Sequence, residues 1–347
     1  VGYLTSTFHP EGFHGAARRE RFFEGWYLKC VSADRRHRWA FIPGLFLGAT
    51  GEAEAFVQVL DGTTHRSWYH RFPREAFRAE EDRFEVQVGE NHFDARGMAL
   101  ELDGGALRGA LTFNDGGGLT GWPVTAWSPG IMGPFGYLPF MECSHGLISF
   151  SHTLQGSLMI EGQPISFDGG LGYIEKDWGA AFPTAYVWMQ SNHFSHARAC
   201  LSASIAIIPT LPQGRVARGL DVVSRRLAGR PMSSFRGFII GLWLDGELHA
   251  FATWSGARTE RLLIDDSHVR WTVSSATERL ELVTERVAGG LLHAPVRTEM
   301  HRRVVESIDA RIEVRLTRRS GEVLFEEVGT CGGLEVFGDL AHLQSFA

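Results

Sequence analysis

The sequence predicts an all-β protein with many antiparallel strands arranged as sandwiches or barrels, and three observations carry that prediction. Short segments alternate apolar and polar residues at period two, as in Arg83–Val88, Met98–Leu102, Ala106–Phe113, Arg279–Val283 and Arg311–Thr317. Turn dipeptides such as Asp103-Gly104, Asp115-Gly116, Asp245-Gly246 and Ser320-Gly321 separate them. No long helical pattern is strong enough to compete with the strands, so the layers are sheet on sheet.

Taken in order, Arg21–Val31 reads as a strand interrupted by a glycine, and Trp39–Leu47 and Ala55–Leu60 follow it in a meander. Gly116–Ile131 is rich in Gly, Pro and Trp and reads as a long loop, a length often tied to function. Strands resume over Tyr137–Ser151 and Thr153–Glu161, and Ala199–Ile208 and Phe235–Trp243 are strongly apolar strands. Between the last two lies Leu211–Ser234, with five arginines and with Val216, Leu220, Val223 and Leu227 at helical spacing. It reads as a solvated surface helix or loop, or as a basic amphipathic helix that lids a pocket or rests on anionic lipid. Asp339–Phe346 reads as a short terminal helix. Strand content is similar before and after about residue 180, which points to two β domains, 1–180 and 181–347, without a residue-level repeat.

The 347 residues are 44% hydrophobic and 12% aromatic, with 24 Phe and 10 Trp, enough to fill a large core and to line an apolar pocket. A net charge of −6 offers no basic field for nucleic acid. The four cysteines form no CxxC pair, which fits free thiols in a reducing, cytoplasmic compartment. No apolar run of membrane-spanning length occurs, so a soluble protein is expected. P-loop, GxSxG and GxGxxG signatures are absent.

The chemistry concentrates in Leu171–Ser195. Lys176 is one of two lysines, with Lys29, against 32 arginines. On a strand, Tyr173, Glu175 and Asp177 share one face, and Ile174, Lys176 and Trp178 share the other. Two carboxyls on one face cannot both ionise cheaply, so one remains protonated toward neutral pH and can donate a proton. The alternative is a solvent-facing or Arg-paired couple, against which stand the flanking aromatics Tyr173, Trp178, Phe182 and Trp188. Gln190 and Asn192 share parity with Trp188 and could orient a hydroxyl or carbonyl. His193 is a base or hydrogen-bond partner, or a structural histidine. His193 and His196 form HxxH without a third ligand, so no metal is expected. In the segment FEGWY, Glu24 and Trp26 share a face, and Trp26 and Tyr27 are either substrate-facing or core.

The blocks FFEGWYLK (Phe22–Lys29), MGPFGYLPFMECSHGLISFSHTLQGSL (Met132–Leu158), GYIEKDWGAAFP (Gly172–Pro183), WMQSNHF (Trp188–Phe194), FRGFI (Phe235–Ile239) and GLEVFG (Gly333–Gly338) together resemble the tocopherol cyclase family. That family is related more distantly to lipocalin-like carotenoid hydratases and Diels–Alderases. The resemblance implies two lipocalin-like antiparallel β-barrel or sandwich domains packed together. It further implies cofactor-free closure of a chromanol ring on a small hydrophobic prenylated quinol, a step of vitamin E biosynthesis. Glu175 or Asp177 would protonate the prenyl alkene. Trp26, Tyr173, Trp178 and Trp188 would stabilise the cation. Gln190, Asn192 or His193 would hold the quinol and accept its proton, with Lys176 tuning the carboxyls or binding a ring oxygen, and Glu24 and Tyr27 completing the binding wall. The arginine-rich composition fits a GC-rich bacterial genome, and a lipid substrate adds peripheral membrane contact. Two other functions fit the same fold: a hydratase or pericyclase of an isoprenoid or polyketide, and a non-catalytic lipid-binding lipocalin-like protein. A carrier would keep both carboxylates outside its pocket.

Overall fold

The computed structural model describes residues 7–114, 118–138, 141–196, 198–209, 234–296 and 299–345. These residues form two antiparallel sheets, as the period-two segments require. The first sheet collects β1 (Phe22–Val31), β2 (Arg38–Leu47), β3 (Ala53–Asp61), β4 (Ser67–Pro73), β5 (Phe77–Ala79), β6 (Glu85–Val88), β7 (Asn91–Asp94), β8 (Gly97–Leu102), β9 (Leu107–Asn114), β10 (Cys143–Ile160), β11 (Gln163–Ser166) and β12 (Leu171–Gly179). The second collects β13 (Ala185–Ser191), β14 (Ala199–Pro209), β15 (Ser234–Leu244), β16 (Glu247–Ala252), β17 (Arg258–Ile264), β18 (His268–Ser274), β19 (Glu278–Glu285), β20 (Gly290–Val296), β21 (Glu299–Arg318) and β22 (Val323–Gly338).

The strand orders are β4-β3-β2-β1-β12-β10-β9-β8-β7-β6-β5 and β16-β15-β14-β13-β22-β21-β19-β18-β17. They follow one plan. A four-strand meander pairs its first strand (β1 or β13) with the sheet's last (β12 or β22). That strand pairs with a long one (β10 or β21), which also carries a short partner, β11 or β20. The duplication is one of topology.

Two expected segments merge: Cys143–Ser151 of the first and Thr153–Ile160 of the second belong to the single 18-residue β10, and the expected strand start at Tyr137 is instead the end of a 3-10 turn, Gly133–Tyr137. Register shifts near Leu147–His152 bend β10, as bulges do, so no turn is needed. A short helix, α1 (Leu340–Gln344), ends the described chain, capped by the Asp339 carboxylate, which accepts from the His342 amide at 3.0 Å. The arginine-rich segment 211–233 lies outside the described residues.

Alternation decides where the core lies. One face of each sheet closes on its own apolar interior, with Phe41, Phe93 and Leu154 in the first and Ile205, Ile240 and Leu280 in the second, all fully buried. Each such side chain contributes roughly 1.5–3 kcal/mol of transfer free energy. The opposite faces meet, and Tyr27, Phe150 and Tyr173 of the first sheet pack with Tyr186, Trp188 and Ile308 of the second. With both sheet interiors filled, space for a ligand is left between the sheets.

Candidate active site

β12 carries the segment that the sequence singles out. Its extended backbone sends Tyr173, Glu175 and Asp177 toward the second sheet and Ile174, Lys176 and Trp178 into the first sheet's interior. A cavity of about 190 Å³ lies between the sheets, walled largely by apolar side chains such as Phe23, Phe56, Met132, Phe135, Ile208 and Phe235, and Glu175 and Asp177 line it.

Register places the polar groups. Glu175 lies opposite Tyr27 of β1 and Leu147 of β10, and Asp177 opposite His145 of β10. The Tyr173 hydroxyl donates to Glu175 Oε2, and Trp188 Nε1–H donates to the same oxygen at 3.1 Å. Glu175 Oε1 is therefore the oxygen left to carry a proton. His145 stands between the carboxyls, Nδ1 at 2.9 Å from Asp177 Oδ1 and Nε2 at 3.5 Å from Glu175 Oε2. Burial pushes the Glu175 carboxyl up to about 7; Asp177 adds to that, while His145, Tyr173 and Trp188 oppose it. Burial alone would lower the His145 imidazole, but Asp177 and Glu175 overcome it and raise it to about 9. His145 is thus an imidazolium at neutral pH.

A second carboxyl group, absent from the sequence reading, lines the same cavity. Glu306 of β21 and Glu335 of β22 are register neighbours and hydrogen-bond to one another. The Tyr27 hydroxyl donates to Glu306 Oε1 at 2.5 Å, and the Tyr186 hydroxyl to Glu335 Oε2 at 2.6 Å. Burial pushes Glu335 up to about 7 and Glu306 well above the usual carboxylate range. Glu306 therefore holds the shared proton and Glu335 accepts it. The donors cross between sheets: Trp188 of the second reaches Glu175, Tyr27 of the first reaches Glu306, and the two rings meet edge to face at 5.5 Å. A partial signal exists in the sequence, since Glu306 is in phase with the buried Val304 and Ile308, and Glu335 with Gly333.

Several residues expected on the binding wall are elsewhere. Lys176 and Glu24 pair at 2.6 Å inside the first sheet, both fully buried. Trp26 and Trp178 flank the Lys176 ammonium at 4.8 and 4.5 Å from their ring centres, so these indoles meet a cation, but it is the protein's own. Lys176 also donates to the Gly12 carbonyl, and Glu24 accepts the His14 amide at 3.0 Å, so the pair fastens the segment before β1. Burial would raise Glu24, but Lys176 and His14 hold it below the ordinary value.

Gln190 and Asn192 share Trp188's inter-sheet face, as parity requires, yet neither lines the cavity. Asn192 Nδ2 donates to the Gly172 carbonyl at 2.9 Å and ties the sheets together. Gln190 Nε2 points at Cys200 Sγ, 3.8 Å away. His193 binds Asn192 Oδ1 through Nδ1 at 2.9 Å, and burial with the Lys29 and Arg35 charges lowers its imidazole to about 2, too weak a base to take a phenol proton. Lys29, fully buried, donates to the Cys331 carbonyl at 2.8 Å across the sheets. Both lysines of this arginine-rich chain therefore sit where a compact ammonium fits and a guanidinium does not.

His145, Glu175 and Asp177 are the one set among the described residues with metal-ligand spacing, their ligand atoms within 4.8 Å of one another. A cation there would have to displace the imidazolium proton that already serves Asp177.

Gly333 sets the Trp188 indole in place. A Cβ on Gly333 would lie 2.4 and 2.5 Å from two atoms of that ring. Gly333→Ala is expected to tilt the indole off Glu175 and to lower stability by roughly 1–3 kcal/mol. Indole fluorescence and urea denaturation check the two effects.

The profile of the family described as Tocopherol cyclase-like matches residues 119–338, a stretch that includes His145, Glu175, Asp177, Trp188, Glu306 and Glu335. A relative from Oryza sativa subsp. japonica, named Probable tocopherol cyclase, chloroplastic, is 26% identical over 137 residues, 39% of this chain, and the match spans 26% of that relative's length. Two crystal structures of CghA share the fold. The one with Sch210972 has a TM-score of 0.54 at 11% identity, covering 91% of this chain and 89% of that one. The other has a TM-score of 0.52 at 11% identity, covering 92% and 89%. With the family match spanning most of the chain and every carboxyl of the cavity, the protein belongs to the tocopherol cyclase-like family.

Proposed function

We propose that the chain is a proton-initiated cyclase that converts a prenylated hydroquinone into its chromanol. The observation that carries this is a buried carboxyl, Glu175, aimed into an apolar cavity and held near neutrality by its surroundings. Glu175 Oε1–H protonates the less substituted carbon of the prenyl alkene, and the tertiary cation is trapped by the ring hydroxyl. Alkenes are weak bases, so the acid must be close and dry. As the proton leaves, Tyr173, Trp188 and the His145 imidazolium are already placed to stabilise the new carboxylate. Tyr27, Phe182, Tyr186 and Trp188 give the cation aromatic faces. Asp177 fixes His145 and, through it, Glu175. The product is an isomer of the substrate, so the atoms balance with no redox partner.

A carrier protein has no use for buried acids inside its pocket, and Glu175 and Asp177 both line this one. Incubation with a prenylated hydroquinone, followed by chromatography and mass spectrometry, tests the proposal. An isomer of shifted retention supports it. A product heavier by one water points to a hydratase. Tight binding without conversion would sink it.

The sign of the pH dependence follows from Glu175. Its carboxyl is raised, so the acid form persists up to about pH 7 and is lost above. Turnover is expected to fall about tenfold per pH unit above that point, an acid limb of the kind general acids give. A rate that rises through pH 8 would contradict it.

We propose that the protein works at a membrane surface, because the prenyl tail of such a substrate partitions into bilayers. Trp127 is 86% exposed on the loop closed by the Val124–Pro129 bridge, and the same stretch of chain continues into the cavity-lining Met132 and Phe135. Liposome flotation of wild type and Trp127→Ser is expected to show binding that the substitution weakens; no binding by the wild type would end the idea.

A further inference from the structure

We infer that Glu335, backed by Glu306, is the base that takes the hydroxyl proton as the ring closes, so that one carboxyl half-site on each sheet serves each end of the reaction. This rests on the cyclase reading above and adds to it the residue that receives the second proton.

Topology is the first ground. The sheets share one strand plan, in which β12 and β22 are equivalent, as are β10 and β21. Glu175 on β12 has His145 beside it on β10, and Glu335 on β22 has Glu306 beside it on β21. The donors are reciprocal as well, since β13 supplies Trp188 to Glu175 and β1 supplies Tyr27 to Glu306. Both half-sites open on the same cavity.

Their chemistry differs at one position. Glu175 has a cation beside it and keeps one oxygen without a donor. Glu335 has a carboxylic acid beside it, and it accepts from both Glu306 and Tyr186. Glu175 also accepts from two donors, but one of the donors on Glu335 is a carboxylic acid: Glu306 retains the proton the pair shares, which leaves Glu335 as the anion, the form a base needs. Burying two carboxyls side by side is unfavourable, and a scaffold would be served as well by apolar side chains at these positions. A hydroxyl bonded to a carbocation is a strong acid, so a carboxylate that titrates near neutrality suffices to accept its proton.

The step balances. Glu175 Oε1–H breaks as the C–H bond forms. The substrate O–H breaks as the O–C bond forms, and that proton passes to the Glu335 carboxylate. The enzyme ends with Glu175 ionised and Glu335 protonated. One proton moves back between them before the next turnover, between two carboxyls that burial raises in the same direction.

Two substrates separate the roles: a prenylated hydroquinone, and its methyl ether at the hydroxyl that would close the ring, each with enzyme in D2O. The ether cannot cyclise, but Glu175 can still add a deuteron to its alkene and remove a proton from the adjacent carbon. Glu335→Gln is expected to lower chromanol formation by at least about 100-fold while deuterium still enters the ether. Glu175→Gln is expected to slow both by about 10²–10⁴-fold. Chromanol formation by Glu335→Gln at the wild-type rate overturns the inference. Loss of deuterium exchange together with cyclisation in Glu335→Gln overturns it too, since Glu335 would then act on the fold or on the first protonation. Wild-type enzyme that neither cyclises the quinol nor exchanges the ether overturns the cyclase reading, and the inference with it.

Discussion

Glu175→Gln is expected to slow chromanol formation by about 10²–10⁴-fold, the usual contribution of a placed general acid. The substitution retains the shape and the acceptor oxygen for Tyr173 and Trp188 but removes the transferable proton. Substrate affinity should change little, because the alkene makes no hydrogen bond to lose, so the effect falls on kcat. Asp177→Asn should cost less. Asp177 is partly exposed and bonded to His145, so its loss acts on Glu175 at one remove, through the imidazole and through the carboxylate charge that helps to raise Glu175. Glu175→Gln at the wild-type rate would remove Glu175 from the chemistry.

The second large effect is on stability. Lys176→Met leaves the Glu24 carboxylate in the first sheet's interior with no ammonium beside it, where both partners are fully buried. Removing one member of a buried pair costs about 3–5 kcal/mol. The Trp26 and Trp178 faces would lose their cation, and the segment before β1 would lose its anchor at Gly12. Pairing Lys176→Met with Glu24→Gln should recover part of the loss, because no bare charge is then buried. Urea melts of the single and double variants measure this coupling. A single variant within 1 kcal/mol, on the order of an exposed pair, would mean that the pair is solvated.

Strand parity made part of the site legible. The Tyr173, Glu175 and Asp177 face does point between the sheets, and Glu175 and Asp177 line the cavity there. Parity could not separate Lys176 from that site, because both faces of β12 are buried, one in the first sheet's interior and one between the sheets. Gln190 and Asn192 share Trp188's direction, but a strand advances roughly 3.3 Å per residue, and two or four residues carry them past the end of the cavity. His145, Glu306 and Glu335 needed more than local pattern. Tyr27 and Glu306 are 279 residues apart on different sheets, and only the packing of one sheet on the other brings them together. The common plan of the sheets was invisible for the same reason: it lies in pairing order, which different side chains can encode equally well.

The most direct measurement is the position of deuterium in chromanol made by the wild-type protein in D2O. Protonation of the alkene by a solvent-exchanged Glu175 puts one deuterium on the ring carbon next to the new C–O bond, and none elsewhere. Chromanol without deuterium at that carbon would mean that no protein acid starts the reaction, and the role given to Glu175 would fall.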